Sequence, residues 1–139
     1  MPTKKADAVW KGDLKSGKGT MKLESGSYEG KFSFATRFED KSGSNPEELI
    51  GAAHAGCFSM AFSNELDKAG FKPNSVETHA EVTIDGGAGA ITTIKLTTKG
   101  DVPNIDNDKF QEIAQAAKKG CPVSKALAGV TIKLDATLK

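Results

Sequence analysis

"NPEELIGAAHAGCFSMAFSNELDKAG", residues 45–70, sets the architecture of the chain. Asn45 offers a capping side chain, Pro46 takes the first helical position, where a missing N–H costs nothing, and Glu47 and Glu48 lie near the positive end of the helix dipole. Gly70 follows the last turn and accepts the left-handed conformation that closes many helices. The spacing predicts one helix from Pro46 to about Ala69, about 36 Å long at ~1.5 Å per residue. Residues 50–62 within it carry no charged side chain and are apolar on nearly every face. That pattern predicts burial on all sides, at the centre of a domain or in a subunit interface. The run is too short, and too rich in Gly, Ala and polar residues, to span a bilayer.

Strands flank this helix. ADAVWKG and KGTMKLES alternate apolar with polar residues on either side of a GDLKSGKG turn, which predicts an N-terminal hairpin with one face on a core. KFSFATRFED continues the alternation, with Phe32 and Phe34 on one face, as far as the loop DKSGSNP. After the helix, VETHAEVTI and AITTIKLTTKG form a second hairpin across DGGAG. DNDKFQEIAQAAKKG reads as a helix capped by Asp106 or Asn107 and stopped by Gly120. GCPVSKALAG puts Cys121 at the cap of a short helix opening with Pro122, and GVTIKLDATL is a last strand. The expected class is α+β: a curved antiparallel sheet packed on a long, central, buried helix.

With 139 residues the chain has the size of one domain, 1–139, able to bury a core without staples. Nineteen Lys and Arg against 18 Asp and Glu, scattered along the sequence, leave no electrostatic footprint for nucleic acid or an anionic membrane. MPTKKADAVWKGD has two lysines but no following apolar run, so it reads as neither signal nor transit peptide, and a cytoplasmic location is expected. In a reducing compartment the two cysteines, Cys57 and Cys121, are either inert core or chemistry.

Their settings differ. A thiol at a helix start faces free backbone N–H groups, so Cys121 is expected to ionise easily. Cys57, in mid-helix and apolar surroundings, is expected to resist ionisation unless another segment brings a cation or donor. His54, three residues before Cys57, is the local candidate for an activating base; the alternative is a core histidine bonded to a backbone carbonyl. A metal site from His54, Cys57, His79 and Cys121 would lack the paired close spacings of structural zinc sites.

NPEELIGAAHAGCFSMAF and GCPVSKAL, with the N-terminal WKGDLKSGKGTM and ATRFED, closely resemble the OsmC family. This is the osmotically inducible protein C branch of the OsmC and organic hydroperoxide resistance (Ohr) proteins, and the resemblance covers essentially the whole chain. It implies thiol-dependent reduction of organic hydroperoxides in oxidative or osmotic stress. Cys57 matches the peroxidatic cysteine and Cys121 the resolving cysteine, which implies a Cys57–Cys121 disulfide. Arg37 matches the activating guanidinium and Glu47 the acid that pairs with it; His54 has no part in that scheme. The resemblance further implies an intertwined homodimer, no cofactor, and re-reduction by an external dithiol such as dihydrolipoyl groups on carrier proteins.

Helix geometry adds a constraint. Glu47 lies ten residues before Cys57, about 15 Å along the helix and about 80° around it, whereas Glu48 falls near the opposite face. One guanidinium cannot bridge about 15 Å along a straight helix, so either the first turn bends or the acid comes from a second chain. Ala53, Gly56, Phe58, Met60, Ala61 and Phe62 would give the thiol small, apolar walls suited to hydrocarbon-bearing hydroperoxides. The alternatives are a Cys57–His54 acyl-transfer or hydrolase site, and a binding module whose cysteines are core.

Overall fold

The computed structural model describes residues 1–139, which divide into two compact units, Met1–Leu49 and Ile50–Lys139. The first is an antiparallel sheet of β1 (Ala6–Lys11), β2 (Lys18–Leu23) and β3 (Glu29–Phe32), in that order, followed by a short helix α1 (Phe34–Phe38). The predicted hairpin is β1–β2, with Trp10 opposite Gly19 and Lys11 opposite Lys18. Strand alternation gives this sheet two unlike faces. Ala8, Trp10, Met21, Leu23 and Phe32 share one face, whereas Asp7, Lys11, Lys18, Lys22, Glu29 and Lys31 share the other. Trp10 and Phe32 meet with ring centroids 5.4 Å apart across Gly19, where a Cβ would collide with both rings.

The alternation expected through KFSFATRFED stops at Phe32. Ser33 begins α1 instead: its hydroxyl accepts from Thr36 N–H at 3.2 Å, and Thr36 Oγ1 accepts from Ser33 N–H at 2.8 Å. This reciprocal capping satisfies two backbone donors at once, which a bare continuation of an edge strand would not.

The long helix, α2, is Pro46–Lys68, within a residue of its expected end. Asn45 Oδ1 accepts from Glu48 N–H at 2.8 Å, and Asn45 Nδ2 donates to Thr36 O at 3.0 Å. Gly70 lies at φ +92°, and Phe71 N–H bonds back to Leu66 O at 2.9 Å, the six-to-one closure that a left-handed glycine permits.

The second unit carries β4 (Ser75–Asp85), β5 (Ala90–Asp101), α3 (Asn107–Gly120), α4 (Pro122–Ala126) and β6 (Thr131–Leu138). β4 and β5 form the predicted hairpin, but β6 lies parallel to β5, so this sheet is mixed and not wholly antiparallel as expected. The cause is the crossover through α3 and α4: a long helical connection brings the chain back to the same end of the sheet, which a tight turn cannot do. Asp106, not Asn107, caps α3, accepting from Lys109 N–H at 2.8 Å.

Phe58, Phe62 and Leu66 of α2, Ile94 and Leu96 of β5, and Phe110, Ile113, Ala114 and Ala117 of α3 form the core. Phe62 meets Phe58 at 5.6 Å and the edge of Phe110 at 5.1 Å between centroids. Gly51 brings α2 close to β4; a Cβ there would already touch Val82 at 3.4 Å.

The expected all-round burial of α2 does not hold within one chain. Gly51, His54, Phe58, Phe62 and Leu66 recur three or four apart as a buried stripe, whereas Ala52, Ala53 and Gly56 are exposed and Met60 is 77% exposed. The helix is apolar all round in sequence, yet the chain supplies packing for only one side of it. No helix is long and apolar enough to cross a membrane.

Candidate active site

The two cysteines, far apart in sequence, are brought together. Cys57, half-buried on α2, has its Sγ 2.8 Å from the Sγ of fully buried Cys121, and both are free thiols. Cys121 is held by the backbone at a junction: its N–H bonds to Ala117 O at 2.9 Å, ending α3, and its carbonyl accepts from Lys125 N–H at 3.1 Å, starting α4. Pro122 at the first position of α4 fixes the turn between them.

Their acidities are driven apart, in the directions expected from sequence. Burial raises Cys57 above the ordinary cysteine value, and Cys121 beside it adds to the rise, against a smaller opposing effect of the Val123 amide. On Cys121 burial also opposes ionisation, but is outweighed by hydrogen bonds from the Cys57 thiol, from the amide and hydroxyl of Ser124, and from the Val123 amide, so its pKa is lowered. The sulfur makes no cap bond of standard geometry, and α4 has only five residues. The lowering therefore comes from nearby donors and not from a long helix dipole. Two sulfurs this close titrate as a coupled pair, and their apparent pKa values belong to the pair.

His54 does not pair with Cys57. It is fully buried, and its Nε2 lies 2.8 Å from Ser124 Oγ; Nδ1 is buried without a partner. Burial lowers its pKa, which favours the neutral ring. The expected carbonyl partner is replaced by a hydroxyl 70 residues along the chain. Ser124 is thus a site residue that reading the sequence missed, and its one signal was its place three residues after Cys121, where an N-terminal turn folds back on its cap.

Arg37 and Glu47 also come together, both in the first unit. Arg37 Nε donates to Glu47 Oε1 at 2.9 Å and Nη2 approaches the same oxygen at 2.8 Å. Glu47 is 7% exposed, and its second oxygen, Oε2, is buried with no partner. The guanidinium packs over Phe38, 5.3 Å from the ring centroid. Its plane is therefore fixed on one edge by the acid and on one face by an aromatic ring.

The expected apolar walls divide. Phe58 and Phe62 are wholly in the core, whereas Ala53, Gly56 and Met60 form an exposed strip on the same flank of α2 as Cys57, at spacings of three and four residues. No three His, Cys, Asp or Glu side chains converge in a way that could hold a metal ion.

Comparison with known proteins bears on this arrangement. The model of the OsmC-like protein family matches residues 39–135. Over 139 residues the chain is 53% identical to Peroxiredoxin OsmC of Escherichia coli (strain K12), a match covering 98% of this chain and 96% of that protein. Organic hydroperoxide resistance protein OhrB of Bacillus subtilis (strain 168) is 34% identical over 103 residues, covering 70% of this chain and 72% of that one. The crystal structure of an organic hydroperoxide resistance protein from Elizabethkingia anophelis aligns with a TM-score of 0.76 over 97% of this chain and 96% of that one. At 22% identity, that likeness is one of fold.

Proposed function

The chain belongs to the OsmC family of thiol peroxidases, and on that premise we propose that it reduces organic hydroperoxides through a two-cysteine cycle run by Cys57 and Cys121. The observation that carries the cycle is the 2.8 Å approach of two free sulfurs, which makes the second step a short closure. Cys57, the less buried of the two, attacks a peroxide oxygen as thiolate. The O–O bond breaks, the alkoxide takes a proton and leaves as alcohol, and Cys57 becomes a sulfenic acid. Cys121 then attacks that sulfur, hydroxide leaves as water with the proton Cys121 gave up, and a disulfide forms. An external dithiol, dihydrolipoyl groups on a carrier protein in this reading, restores both thiols by exchange, so no metal or organic cofactor enters.

The first step needs a charge that one chain's second unit disfavours, because Cys57 is raised and Cys121 lowered. Arg37, oriented by Glu47, is the cation assigned to reverse that order. A homodimer would supply it to the thiol without demanding a bent helix, and would cover the open flank of α2 at Met60 and the half-open sheet face at Trp10 and Leu23. The exposed Ala53, Gly56 and Met60 beside Cys57 suit a substrate with a hydrocarbon substituent. Work in the cytoplasm, where dithiols stay reduced, fits a cycle that must be reset each turn.

The test is direct. Reduced protein given one equivalent of an organic hydroperoxide should lose both thiols and two mass units, with Cys57 and Cys121 joined within one chain. Cys121→Ser protein should instead retain an oxidised Cys57. Loss of peroxide without thiol loss would overturn the assignment.

A further inference from the structure

We infer that His54 is a positioning residue for the resolving thiol, holding the Ser124 hydroxyl so that its proton points at the Cys121 sulfur; this rests on the two-cysteine reading. His54 Nε2 and Ser124 Oγ are 2.8 Å apart and both residues are buried. A neutral imidazole has one N–H and one bare nitrogen, and Nδ1 has no partner. Placing the hydrogen on Nδ1 would bury an unpaired donor, the arrangement proteins avoid most strongly, so it belongs on Nε2. Nε2–H then donates to Ser124 Oγ, and the serine's single hydrogen is free for another acceptor. Cys121, three residues earlier at the cap of α4 and likewise buried, is the group on which this first turn folds back, and the Ser124 hydroxyl is among the causes that lower its pKa. When Cys121 attacks the sulfenic acid, its own proton leaves with the departing hydroxide as water, and the Ser124 hydroxyl holds the sulfur's charge until the S–S bond forms. The titratable groups that bear on Cys121 are thus Cys57 directly and His54 through Ser124.

His54→Phe and Ser124→Ala should each slow disulfide closure about tenfold or more, the effect of losing one hydrogen bond to a charged atom. The preceding loss of peroxide should be spared. In a Cys57→Ser background both should raise the pH at which the Cys121 thiolate absorbance appears. His54→Gln, which keeps an N–H donor, should restore most of the loss, and the double variant should cost no more than the worse single one. Unchanged closure and thiolate titration in both single variants, or additive losses in the double, would overturn the relay. Failure of the parent to oxidise Cys57 at all would overturn the peroxidase reading, and the Cys121 titration would still decide the relay.

A second site stands on separate observations. A cavity of about 580 Å³ in the first unit is lined by Lys11, Lys18, Lys31 and Lys41, with Thr20 and Ser42 among its polar groups and no acidic side chain. None of these lysines takes part in an ion pair. Lys11 and Lys18 are directly opposite on β1 and β2, where like charges repel with Cβ atoms about 5 Å apart. Further along the same face Lys22 lies between Asp7 and Glu29, so one row of the sheet is balanced and the other is not. The loop bearing Lys41 is anchored by Ser44 Oγ, which donates to Lys31 O at 2.7 Å.

The geometry points to a binding site for a small, soluble polyanion of the oligophosphate or phosphate-ester class, which lysines engage as point charges. Calorimetric titration with inorganic pyrophosphate should show saturable binding. Lys18→Gln should weaken it about tenfold, while Lys22→Gln should leave it unchanged. Free Lys18→Gln protein should melt no lower than the parent, because a repulsion has been removed. No saturable heat at millimolar pyrophosphate, equal binding of citrate, or equal losses in the two variants would overturn the site.

Discussion

Cys57 and Cys121 are the same chemical group in opposite settings. One is half open on a long helix with burial and a neighbouring sulfur raising its pKa; the other is fully buried at a junction of two helices, ringed by hydrogen-bond donors. The difference teaches that access and acidity are separated within one chain. The more exposed sulfur is the harder to ionise, and the sulfur whose pKa is lowered is fully buried. A peroxidase can use that separation only if a cation acts selectively on the accessible thiol, the part proposed for Arg37, whose guanidinium is held by Glu47.

The strongest way to break the comparison is to remove one sulfur. Cys57→Ser should abolish hydroperoxide turnover in a coupled dithiol assay, whereas Cys121→Ser should keep the first oxidation and lose the cycle; equal first-turnover rates in the two variants would make the sulfurs equivalent. Next, if Arg37 stabilises the Cys57 thiolate as proposed, Arg37→Ala should slow the first turnover by about a hundredfold or more with the circular dichroism spectrum unchanged; an unchanged rate would remove Arg37 from the site.

Titration sharpens the contrast further. The first-turnover rate follows the Cys57 thiolate; in Arg37→Ala protein, where no cation offsets burial, it should climb only as pH rises through the raised Cys57 pKa. Cys121→Ala removes two causes of that rise and should move the climbing limb to lower pH. In the converse variant, Cys57→Ala, Cys121 loses a donor and its thiolate absorbance should appear at higher pH. The smallest effect is expected from Asn45→Ala, which removes the start of the helix that carries Cys57. It should cost about 1 kcal/mol in chemical denaturation and leave the order of the two acidities intact.

Much of this was legible in the sequence because it is written locally. Asn45, Pro46 and Gly70 mark the ends of α2 by chemistry confined to a few residues, and both hairpins follow from alternation and turn composition. The family resemblance named Arg37 with Glu47 and Cys57 with Cys121, and each pair is in contact. What escaped is non-local. Nothing in GVTIKLDATL distinguishes a parallel from an antiparallel neighbour, because strand direction is decided by the route through α3 and α4. The capping pair Ser33 and Thr36 was hidden by alternating phenylalanines. The partner of His54 lies on another element, and the covered side of α2 is set by the core it meets and not by its own uniform composition.

The place of Cys121 at a joint has one more consequence. Its amide closes the last turn of α3 and its carbonyl opens the first turn of α4, so the residue proposed as resolving thiol is also the pin between two helices. In the proposed cycle, any backbone shift that accompanies closing the 2.8 Å gap to Cys57 would be felt at both helix ends. Exchange of the Cys121 and Lys125 amide hydrogens, compared between the reduced and oxidised protein, would read that shift, a backbone clock for the oxidation state of two side chains.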